Sequence, residues 1–464
     1  MTTEIELKLR LNADHVSALA DHLDQHAEQQ SSQPLSNQYF DTANGDLAHH
    51  RCALRVRALG DESYEQTLKT VGQLRDGIPH RREWNWPLAS DAFDPELLRD
   101  DEIEAQLPLE LAEHDIARVF RTDFERRRWL WQQGENTIEV VLDQGNIDAA
   151  GQQQALCELE LELKHGDASA LWELALTLAQ QVPLWLSIIS KAEHGYRLAQ
   201  LHQGWQEEPQ LAADASTISA MRLWLQHETA GLQRSMELAL WHGDSQAGLD
   251  AWQHWNNLRQ LLVTSGKVIK RKHSKTVRDA LAQLEPALAQ LSALVTAARF
   301  SGARDLYSIY CQQAASVASN AQLAQALIVV SQQIPRLQLE PLEDSALQRL
   351  QRTWRDEASL ILDAPVDINA EHWAHRVTQY ARLRQLYLCR HSLSEPLEDD
   401  GSAMQQHRTR VRLLSDMLAG TTLLQISRQP GALLGEHSQA LRDEFAQYLP
   451  LELKSRLLQL RPQL

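Results

Sequence analysis

The sequence has few of the residues that build disulfide scaffolds, and it lacks long apolar runs. Four cysteines occur in 464 residues, Cys52, Cys157, Cys311 and Cys389, and no two have CxxC spacing. Nothing in this spacing indicates a disulfide framework, so we interpret them as buried thiols. No apolar run approaches the roughly 20 residues of a membrane span, and the N-terminus has a strand pattern instead of a signal core. We expect a cytoplasmic protein with no membrane partner.

Recognisable zinc motifs are also missing. The chain has 19 histidines but neither an HExxH motif nor a paired Cys/His spacing. Surface or structural roles are therefore favoured for these histidines over zinc binding.

The acidic excess of the chain is unevenly distributed. The formal net charge is −17; residues 1–200 carry 18 Lys and Arg against 35 Asp and Glu, whereas residues 201–464 carry 27 of each. An acidic surface of this kind repels nucleic acid, so no nucleic-acid partner is expected. The basic residues of the first part nevertheless fall in pairs on predicted strands, which indicates an interior basic site inside an acidic shell.

The first two hundred residues alternate charged and apolar side chains with the period of a β-strand. At the N-terminus Glu4, Glu6, Lys8 and Arg10 share one strand face, opposite Ile5, Leu7 and Leu9. Alone, this pattern is typical of an edge strand with a solvated charged face. It recurs, however, in further predicted strands at Asn37–Thr42, Cys52–Arg57, Tyr64–Thr70, 81–86, Asp123–Trp131, Thr137–Asp143 and Cys157–Lys164.

Repeated one-sided charge is best explained by a closed sheet. If the charged faces were all solvated, like charges two residues apart would repel one another without compensation. In a closed antiparallel sheet they line a polar tunnel, and the apolar faces pack against outer helices. Carboxylates beside Arg and Lys are what a short polyphosphate with a bound divalent metal requires.

Helical periodicity is local before residue 200 and continuous after it. Local helices are predicted near Asp14–Gln30 and Ala170–Gln181, with a polar connection at 31–34. Beyond Gly204 the helical period dominates, in segments at Met221–Trp241, Ala247–Leu262, Lys275–Leu294, Ala318–Ile334, Leu347–Ile361, His372–His391 and Ala403–Leu418. The predicted fold class is two-domain: an N-terminal α+β antiparallel eight-stranded β-tunnel with outer helices at residues 1–204, and a C-terminal all-α helical bundle at residues 205–464.

A series of motifs in the first part resembles the CYTH, or triphosphate tunnel metalloenzyme, superfamily. Glu4-Ile5-Glu6-Leu7-Lys8 resembles its ExExK signature. The other elements follow in order: Tyr39-Phe40-Asp41-Thr42, Leu54-Arg55-Val56-Arg57, Thr67-Leu68-Lys69, Arg81-Arg82-Glu83, the segment around Arg126, Leu142-Asp143, Glu158-Leu159-Glu160 and Ser190 to Tyr196.

The resemblance implies a tunnel that binds and hydrolyses a triphosphate with Mg²⁺ or Mn²⁺. It assigns phosphate contacts to Lys8, Arg55, Arg57, Lys69, Arg126 and Lys191. It assigns metal ligation to Glu4, Glu6, Glu158 and Glu160, and help with metal binding or water positioning to Glu83 and Asp143. The residues that it implies for catalysis are Glu4, Glu6, Lys8, Glu83 and Asp143. Two alternatives remain open: Arg128 shares the face of Arg126, and Glu162 can replace either member of the Glu158/Glu160 pair. Arg81 is a further candidate for phosphate contact.

The second part resembles a degenerate CHAD domain, a histidine-rich helical module. The resemblance is carried by His254, Arg259, Lys267, Lys270, Arg271, Lys272, His273, Lys275, His375, Arg376, Gln379, Arg382, Arg384, His407, Arg408, Arg410 and Arg412. It implies binding of long-chain polyphosphate, for which a solvated helix face is the alternative interpretation.

Three classes of function follow from these patterns. The favoured one is hydrolysis of inorganic triphosphate, because no aromatic box for a base is visible and the tandem layout resembles bacterial CYTH–CHAD inorganic triphosphatases. A second is another CYTH activity, thiamine triphosphatase or class IV adenylate cyclase. A third is a non-catalytic polyphosphate-binding protein.

Overall fold

The computed structural model describes residues 2–60, 63–70, 73–75, 78–99, 103, 116–201, 216–302, 304–342, 344–363, 367–384, 401–428 and 438–460. The chain divides into two compact units, residues 1–207 and 208–464. The predicted domain boundary between residues 204 and 205 lies outside the described residues, so its position stays a prediction.

The N-terminal unit is built on a single antiparallel sheet. Its described strands are β1 (Thr2–Arg10), β2 (Glu28–Thr42), β3 (Ala53–Gly60), β4 (Ser63–Lys69), β5 (Gln73–Arg75), β6 (Ile78–Leu88), β7 (Ile116–Gln133), β8 (Asn136–Ala149), β9 (Gln152–His165) and β10 (Trp185–Ser187). Its described α-helices are α1 (Val16–His26), α2 (Asp46–His49), α3 (Ser169–Ala179) and α4 (Lys191–Leu198).

The sheet closes on itself through the first strand. Strands pair in the order β1-β9-β8-β7-β2-β3-β4-β6, and β6 pairs back with β1. One edge of β1 pairs with β9, and its other edge pairs with β6 at Thr2–Ile5 and with β10 at Lys8–Arg10. The resulting closed circuit is the antiparallel tunnel expected from the sequence.

The predicted number of eight strands is wrong for the whole sheet, which has ten among the described residues. Eight strands do form the closed circuit. The two additional strands are only three residues long. β10 pairs with Lys8–Arg10 of β1, beyond the segment of β1 that pairs with β6. β5 pairs with the first three residues of β6.

The apolar faces of the strands lie outside the circuit, under the helices. Leu7 and Leu9 of β1 and Leu159 and Leu161 of β9 are buried, and α3 packs on these two strands. Burial of each leucine side chain contributes about 1.5–3 kcal/mol. On β7, the buried Trp129 donates from Nε1 to Asp24 Oδ1 of α1 at 2.7 Å. The core that holds the circuit closed is therefore external to the tunnel.

Two local predictions in this unit are wrong. The helix near Asp14–Gln30 ends at His26, and the predicted polar connection at 31–34 belongs to β2. Backbone pairing with β7, such as Gln33 with Arg126, extends the strand through this polar segment, with a bulge between Gln29 and Ser31. Ladder hydrogen bonds from a distant strand override local turn propensity here.

The C-terminal unit is helical. Its described helices are α5 (Thr217–Trp241), α6 (Ser245–Thr264), α7 (Lys275–Ser301), α8 (Asp305–Ala318), α9 (Ala321–Gln333), α10 (Asp344–Asp363), α11 (Ala370–Ala374), α12 (377–384), α13 (Gly401–Ser427) and α14 (Ser438–Leu460). The sequence patterns did not predict α8 or α14.

Two of the predicted helices are interrupted. The segment predicted at Ala318–Ile334 contains a helix start, because Asn320 Oδ1 accepts from Leu323 N–H at 3.1 Å and caps α9. The segment predicted at His372–His391 has a turn at 375–376, and its residues from 385 onward lie outside the described ones. The first interruption is explained by a side chain that satisfies the backbone of a new helix end.

Within the described part of the chain, no single helix meets the length and hydropathy expected of a membrane span; α8 and α9 meet them only when taken together as a pair bent by 72°.

Candidate active site

Strand register explains why the charged residues meet. Lys8 lies opposite Glu160 across the β1–β9 pair, and Arg126 lies opposite Asp143 across the β7–β8 pair. Because side chains alternate between faces, every second residue of each strand points into the circuit. The charges that the sequence placed on one face of separate strands therefore share one interior.

Two lysines and two glutamates form the centre of the site. Lys8 Nζ lies 2.9 Å from Glu160 Oε1, 3.5 Å from Glu158 Oε1 and 3.6 Å from Glu6 Oε1. Lys191, the first residue of α4, places its Nζ 2.6 Å from Glu158 Oε1 and 2.9 Å from Glu160 Oε1. The same Nζ lies 2.8 Å from Asp143 Oδ2. One strand and one helix thus deliver ammonium groups to the same carboxylates.

Arg126 completes this centre with a two-pronged contact. Its Nε and Nη2 donate to Asp143 Oδ1 at 2.7 Å and Oδ2 at 2.6 Å, and Nη2 also reaches Glu160 Oε2 at 2.9 Å. A bidentate arrangement fixes the plane of the guanidinium. Arg126 is therefore held in one orientation before any ligand is bound.

A second cluster lies on β3, β4 and β6. Lys69 Nζ is 2.6 Å from Glu83 Oε2, and Arg55 Nη2 is 3.8 Å from Glu83 Oε1. The Nε of Arg55 is buried without a hydrogen-bond partner among the described residues. Arg57 donates from Nε to Asn37 Oδ1 at 2.7 Å, and Asn37 donates to Thr122 at 2.9 Å. This side of the tunnel presents N–H groups that can donate hydrogen bonds to a bound anion.

The pKa of Arg57 reflects crowding of positive charge. Burial, followed by repulsion from Arg55 and Arg126, lowers the pKa of Arg57 to about 9. For Arg55, burial lowers the pKa, but Tyr39 and Glu83 outweigh it and the net shift is upward. Arg57 remains charged at neutral pH, so its repulsion with Arg55 and Arg126 persists there.

The two central glutamates shift in opposite directions. Burial and repulsion by Glu160 raise the pKa of Glu158, although Lys191 and Lys8 oppose that shift. Burial also acts to raise the pKa of Glu160, but Lys191, Lys8 and Arg126 outweigh it and hold this pKa well below its ordinary value. Crowded carboxylates of this kind are typical of functional sites.

Most of the predicted site residues therefore share one interior. They are Glu6, Lys8, Arg55, Arg57, Lys69, Glu83, Arg126, Asp143, Glu158, Glu160 and Lys191. The side chains of Glu4 and Arg81 lie outside the described residues; their backbones pair across β1 and β6. Whether each residue has its predicted role stays a prediction.

The contacts of Glu162 and Glu160 bear on whether Glu162 replaces a member of the Glu158/Glu160 pair. Glu162 lies opposite Glu6 and pairs with Lys164 at 2.8 Å. Glu160 instead contacts Lys8, Arg126 and Lys191. This difference favours Glu160 over Glu162 in the central pair. For Arg128, the structure gives a buried Nε without a hydrogen-bond partner among the described residues.

The carboxylates fit a hard divalent cation by chemistry and convergence. No group of three or more His, Cys, Asp or Glu among the described residues is arranged as a metal site. Oxygens of Glu6, Glu158 and Glu160 nevertheless all lie within 3.6 Å of one point, the Nζ of Lys8. Carboxylate oxygens are the ligands that Mg²⁺ and Mn²⁺ prefer. The donor set therefore fits a divalent cation by its chemistry, and the ammonium groups of Lys8 and Lys191 contact the same oxygens.

Sequence reasoning assigned no role to two residues that shape the site. Asn37 positions Arg57 by accepting its hydrogen bond. The sequence could have indicated this, because Asn37 lies two residues from Tyr39 and therefore on the same face of β2. Asp41 is fully buried and accepts backbone N–H groups of Thr42, Leu47 and Ala48 at 2.7–2.9 Å. Burial raises the pKa of Asp41. It fixes the turn between β2 and α2, which only the folded chain reveals.

A third overlooked contact joins the two elements that supply the lysines. Arg10 follows Lys8 by two residues and His194 follows Lys191 by three; Arg10 Nη1 and His194 Nε2 lie 3.0 Å apart. The two side chains are only 5% and 1% exposed. This contact ties β1 to α4 beside the central carboxylates.

We expect His194→Ala to lower the free energy of unfolding by about 1.5–3 kcal/mol, as for loss of a hydrogen bond to a charged group. Urea unfolding followed by circular dichroism measures the change. The exposed His165 at the end of β9 supplies the control, since His165→Ala should alter stability by less than about 0.5 kcal/mol. Equal stability of the two variants would show that the Arg10–His194 contact does not hold α4 in place.

The basic residues of the helical unit that were predicted to bind polyphosphate include both buried and exposed side chains. Arg376 and Arg384 are buried, and Arg384 donates to Asn257 Oδ1 and to Ser415 Oγ. His254 lies 2.7 Å from the buried Glu228. The exposed members are Lys267, Lys270, Arg271, Lys272 and Lys275, together with His375 and Arg412. A turn at 375–376 lies within the predicted face of His375, Gln379 and Arg382, of which His375 and Gln379 are exposed. The side chains of His407 and Arg408 lie outside the described residues.

Comparison with known proteins agrees with the motifs of the first part. Residues 2–196 match the sequence profile of the CYTH domain. An inorganic triphosphatase from Haemophilus influenzae is 33% identical over 200 residues, which are 43% of this chain and 55% of the relative. The chain thus spans about half the length of this curated relative. The CHAD resemblance of the second part stays a prediction.

Among solved structures, similarity extends to a Hippeastrum adenylyl cyclase homologue described as having a dominant triphosphatase activity. It shares 21% identity at a TM-score of 0.32, over 42% of this chain and 95% of that one. A Bacillus halodurans structure described as a candidate adenylate cyclase shares 18% identity at a TM-score of 0.27, over 39% and 95%. The profile match and the ordered motifs together lead to one assignment: residues 2–196 of this chain carry a CYTH domain.

Proposed function

We propose that the N-terminal unit hydrolyses inorganic triphosphate to pyrophosphate and phosphate inside its tunnel, with Mg²⁺ or Mn²⁺ as cofactor. The observation that carries this proposal is the group of three buried arginines inside the tunnel, Arg55, Arg57 and Arg126; burial, followed by repulsion from Arg55 and Arg126, lowers the pKa of Arg57. An anion with several charged oxygens relieves that repulsion. The unpartnered Nε of Arg55 provides a donor for it. The triphosphatase from Haemophilus influenzae supports the same substrate class.

The proposed roles follow from position. Lys8, Arg126 and Lys191 neutralise the phosphates at the carboxylate end of the site, and Arg55, Arg57 and Lys69 do so on the opposite strands. Glu6, Glu158 and Glu160, with Glu4, would hold the divalent ion, and Glu83 and Asp143 orient Lys69 and Arg126. The bound metal would supply charge neutralisation and a water of lowered pKa.

The reaction needs little covalent work from the protein. Water attacks the terminal phosphorus in line; the new P–O bond forms as the bridging P–O bond breaks, and pyrophosphate leaves with the bond electrons. Catalysis then depends on positioning and on neutralising charge on the phosphate oxygens. Side chains that are already fixed by ion pairs, such as Arg126, provide this without reorganisation.

A substrate panel tests the proposal. Released phosphate is measured with inorganic triphosphate, ATP, thiamine triphosphate and long-chain polyphosphate, each with Mg²⁺ and with Mn²⁺. We expect triphosphate to have the highest kcat/KM and no turnover after chelation of the metal. A preference for thiamine triphosphate or formation of cyclic AMP from ATP would assign the site to another CYTH activity, and absence of any turnover would leave a binding function.

Within this panel, Glu6→Gln is expected to reduce kcat for triphosphate by about 100-fold or more, because it removes one charged oxygen ligand and keeps the side-chain shape. Circular dichroism should show an unchanged fold. Glu173→Gln on α3 is the control for loss of a carboxylate outside the tunnel. An unchanged kcat for Glu6→Gln would contradict the role proposed for Glu6.

A further inference from the structure

One row of side chains crosses three neighbouring strands of the tunnel. Asn37 of β2 lies opposite Arg57 of β3 and opposite Thr122 of β7. Arg57 Nε donates to Asn37 Oδ1 at 2.7 Å, and Asn37 Nδ2 donates to Thr122 Oγ1 at 2.9 Å. The asparagine and the threonine are 0% exposed, and the arginine is 9% exposed. Strand register therefore builds a buried chain of two hydrogen bonds that ends at a guanidinium group.

The chemistry of the three groups fixes the direction of this chain. A guanidinium has only N–H donors, so the amide of Asn37 must turn its oxygen toward Arg57. That orientation directs the amide NH₂ group at Thr122, and a buried NH₂ group without an acceptor is costly. The hydroxyl oxygen of Thr122 supplies the acceptor. Thr122 thus stabilises the one amide orientation in which Asn37 can hold Arg57.

The support of Arg57 differs in charge from that of Arg126. Arg126 is held by the carboxylate of Asp143; burial acts to lower the pKa of Arg126, but Asp143 and Glu160 outweigh it and raise this pKa. Arg57 is held by a neutral amide, through Nε alone. The bond fixes the guanidinium plane without using Nη1 and Nη2, the edge that pairs with two phosphate oxygens. The charge of Arg57 therefore stays available to an anion.

We propose that Thr122 and Asn37 are positioning residues for phosphate binding: Thr122 orients the amide of Asn37, and the uncharged amide aims Arg57 at the phosphate chain without neutralising it. This assignment rests on the proposed function, in which Arg57 is a phosphate contact. Both residues act through Arg57. Recognition of the substrate then depends on a hydroxyl group two strands away from the guanidinium.

Substitution of Thr122 in the full-length protein tests the first link. Thr122→Val keeps the shape and removes the acceptor, and we expect kcat/KM for inorganic triphosphate with Mg²⁺ to fall about fivefold, as for loss of one hydrogen bond. Thr122→Ser keeps the hydroxyl group and should remain within about twofold of wild type. Equal kcat/KM for Thr122→Val and wild type would overturn the proposal.

The pH dependence separates positioning from a purely structural role. The pH profile of kcat/KM reports groups of the free enzyme, and comparison of each variant with wild type at the same pH cancels titration of the ligand and the metal. The titratable groups that face Arg57 stay unchanged in every variant: Arg55 on β3, Tyr39 on β2, Glu65 on β4, Arg126 on β7 and Asp143 on β8.

Variants of Asn37 should move the alkaline limb of this profile in opposite directions. Wild-type Arg57 loses its charge near its pKa of about 9. Asn37→Leu removes a hydrogen bond to the charged form, so the pKa of Arg57 falls and kcat/KM declines from a lower pH. Asn37→Asp places a carboxylate beside Arg57, so this pKa rises and the decline begins at a higher pH. At neutral pH the carboxylate competes with phosphate, and we expect kcat/KM to be about tenfold below wild type.

Thr67→Val is the matched control. It removes another buried threonine–asparagine hydrogen bond, from Thr67 Oγ1 to Asn85 Oδ1 at 2.8 Å between β4 and β6, and it should keep the alkaline limb of wild type. Melting is followed for every variant. If Thr122→Val loses its melting transition, Asn37→Asp, which keeps the side-chain shape, decides by the direction of its shift. An alkaline limb that does not move to higher pH in folded Asn37→Asp would overturn the proposal.

The positioning role and the proposed function can fail separately. If triphosphate is bound but not hydrolysed, the same variants are compared by calorimetry, with Kd in place of kcat/KM, and the positioning role is tested while the proposed function fails. If triphosphate is hydrolysed and the variants behave like wild type, the function stands and the positioning role fails. If triphosphate is not bound, both fail.

Discussion

Glu160→Gln is expected to lower kcat for triphosphate hydrolysis by about 100- to 1,000-fold, the range found when one preorganised electrostatic contact is removed. Glu160 contacts Lys8, Arg126 and Lys191, all within 2.9 Å. The amide keeps the shape and removes the charge. The lost charge also frees these cations for the substrate, so KM should stay constant or fall. Steady-state kinetics with a folded variant would reveal this split.

Two further variants serve as controls for Glu160→Gln. Glu162→Gln lies two residues away on the same face and pairs with Lys164; we expect its kcat to fall less than tenfold. Glu125→Gln, on the outer face beside Arg126, hydrogen-bonds Ser32 and should retain full activity. A loss confined to Glu162→Gln would mean that Glu162 belongs to the central pair in place of Glu160.

Lys191→Met should produce the largest loss of stability among single substitutions in the site. Lys191 is 6% exposed, and its Nζ lies within 2.9 Å of oxygens of Asp143, Glu158 and Glu160. Burial alone would lower the pKa of Lys191, but the three carboxylates raise it. Methionine fills the same space without charge and leaves the carboxylates uncompensated. Removal of one partner from a buried ion pair costs about 3–5 kcal/mol.

The dependence of this loss on pH follows from linkage. Because the folded pKa of Lys191 is raised, its stabilising contribution is fully present below its unfolded pKa and is lost only above it. In Lys191→Met the crowded carboxylates take up protons more readily, which relieves their repulsion at low pH. We therefore expect the stability difference from wild type to be smaller at about pH 5 than at about pH 8, as measured by urea unfolding.

Lys164→Met is the control for removal of a lysine from an ion pair on the same sheet. Lys164 pairs with Glu162 and Glu139 but is 40% exposed, and a surface pair of this kind contributes about 0–1 kcal/mol. Equal losses in the two variants, or a difference that does not change with pH, would contradict the account of Lys191 as the internal counter-charge.

The strand pattern predicted much of the N-terminal unit. Alternation placed Lys8, Arg55, Arg126 and Glu160 on inward faces, and closure of the sheet follows from the need to compensate those charges. The central contact of Lys191 was not available from alternation, because α4 is a helix and its position depends on Gly195 packing against Phe120. The family resemblance identified Lys191; its three carboxylate partners came from the folded structure.

Local patterns failed where distant segments decide the outcome. The polar residues 31–34 join β2 because β7 pairs with them, and β10 pairs with β1 beyond its contact with β6. Neither pairing is encoded within a short window of sequence. In the helical unit, periodicity located the long helices but did not show that Arg376 and Arg384 are buried, since a helical repeat does not reveal what packs against each face.

By itself the sequence determined the type of most main elements, the side of the charged strands that carries charge, and the division into a strand-rich and a helical part, because side-chain period and composition are local properties. Only the tertiary structure decided which charges meet and which arginines of the helical unit are buried. Those features depend on strand register and on packing between residues far apart in the chain, where the energy of a contact is set by its neighbours in space.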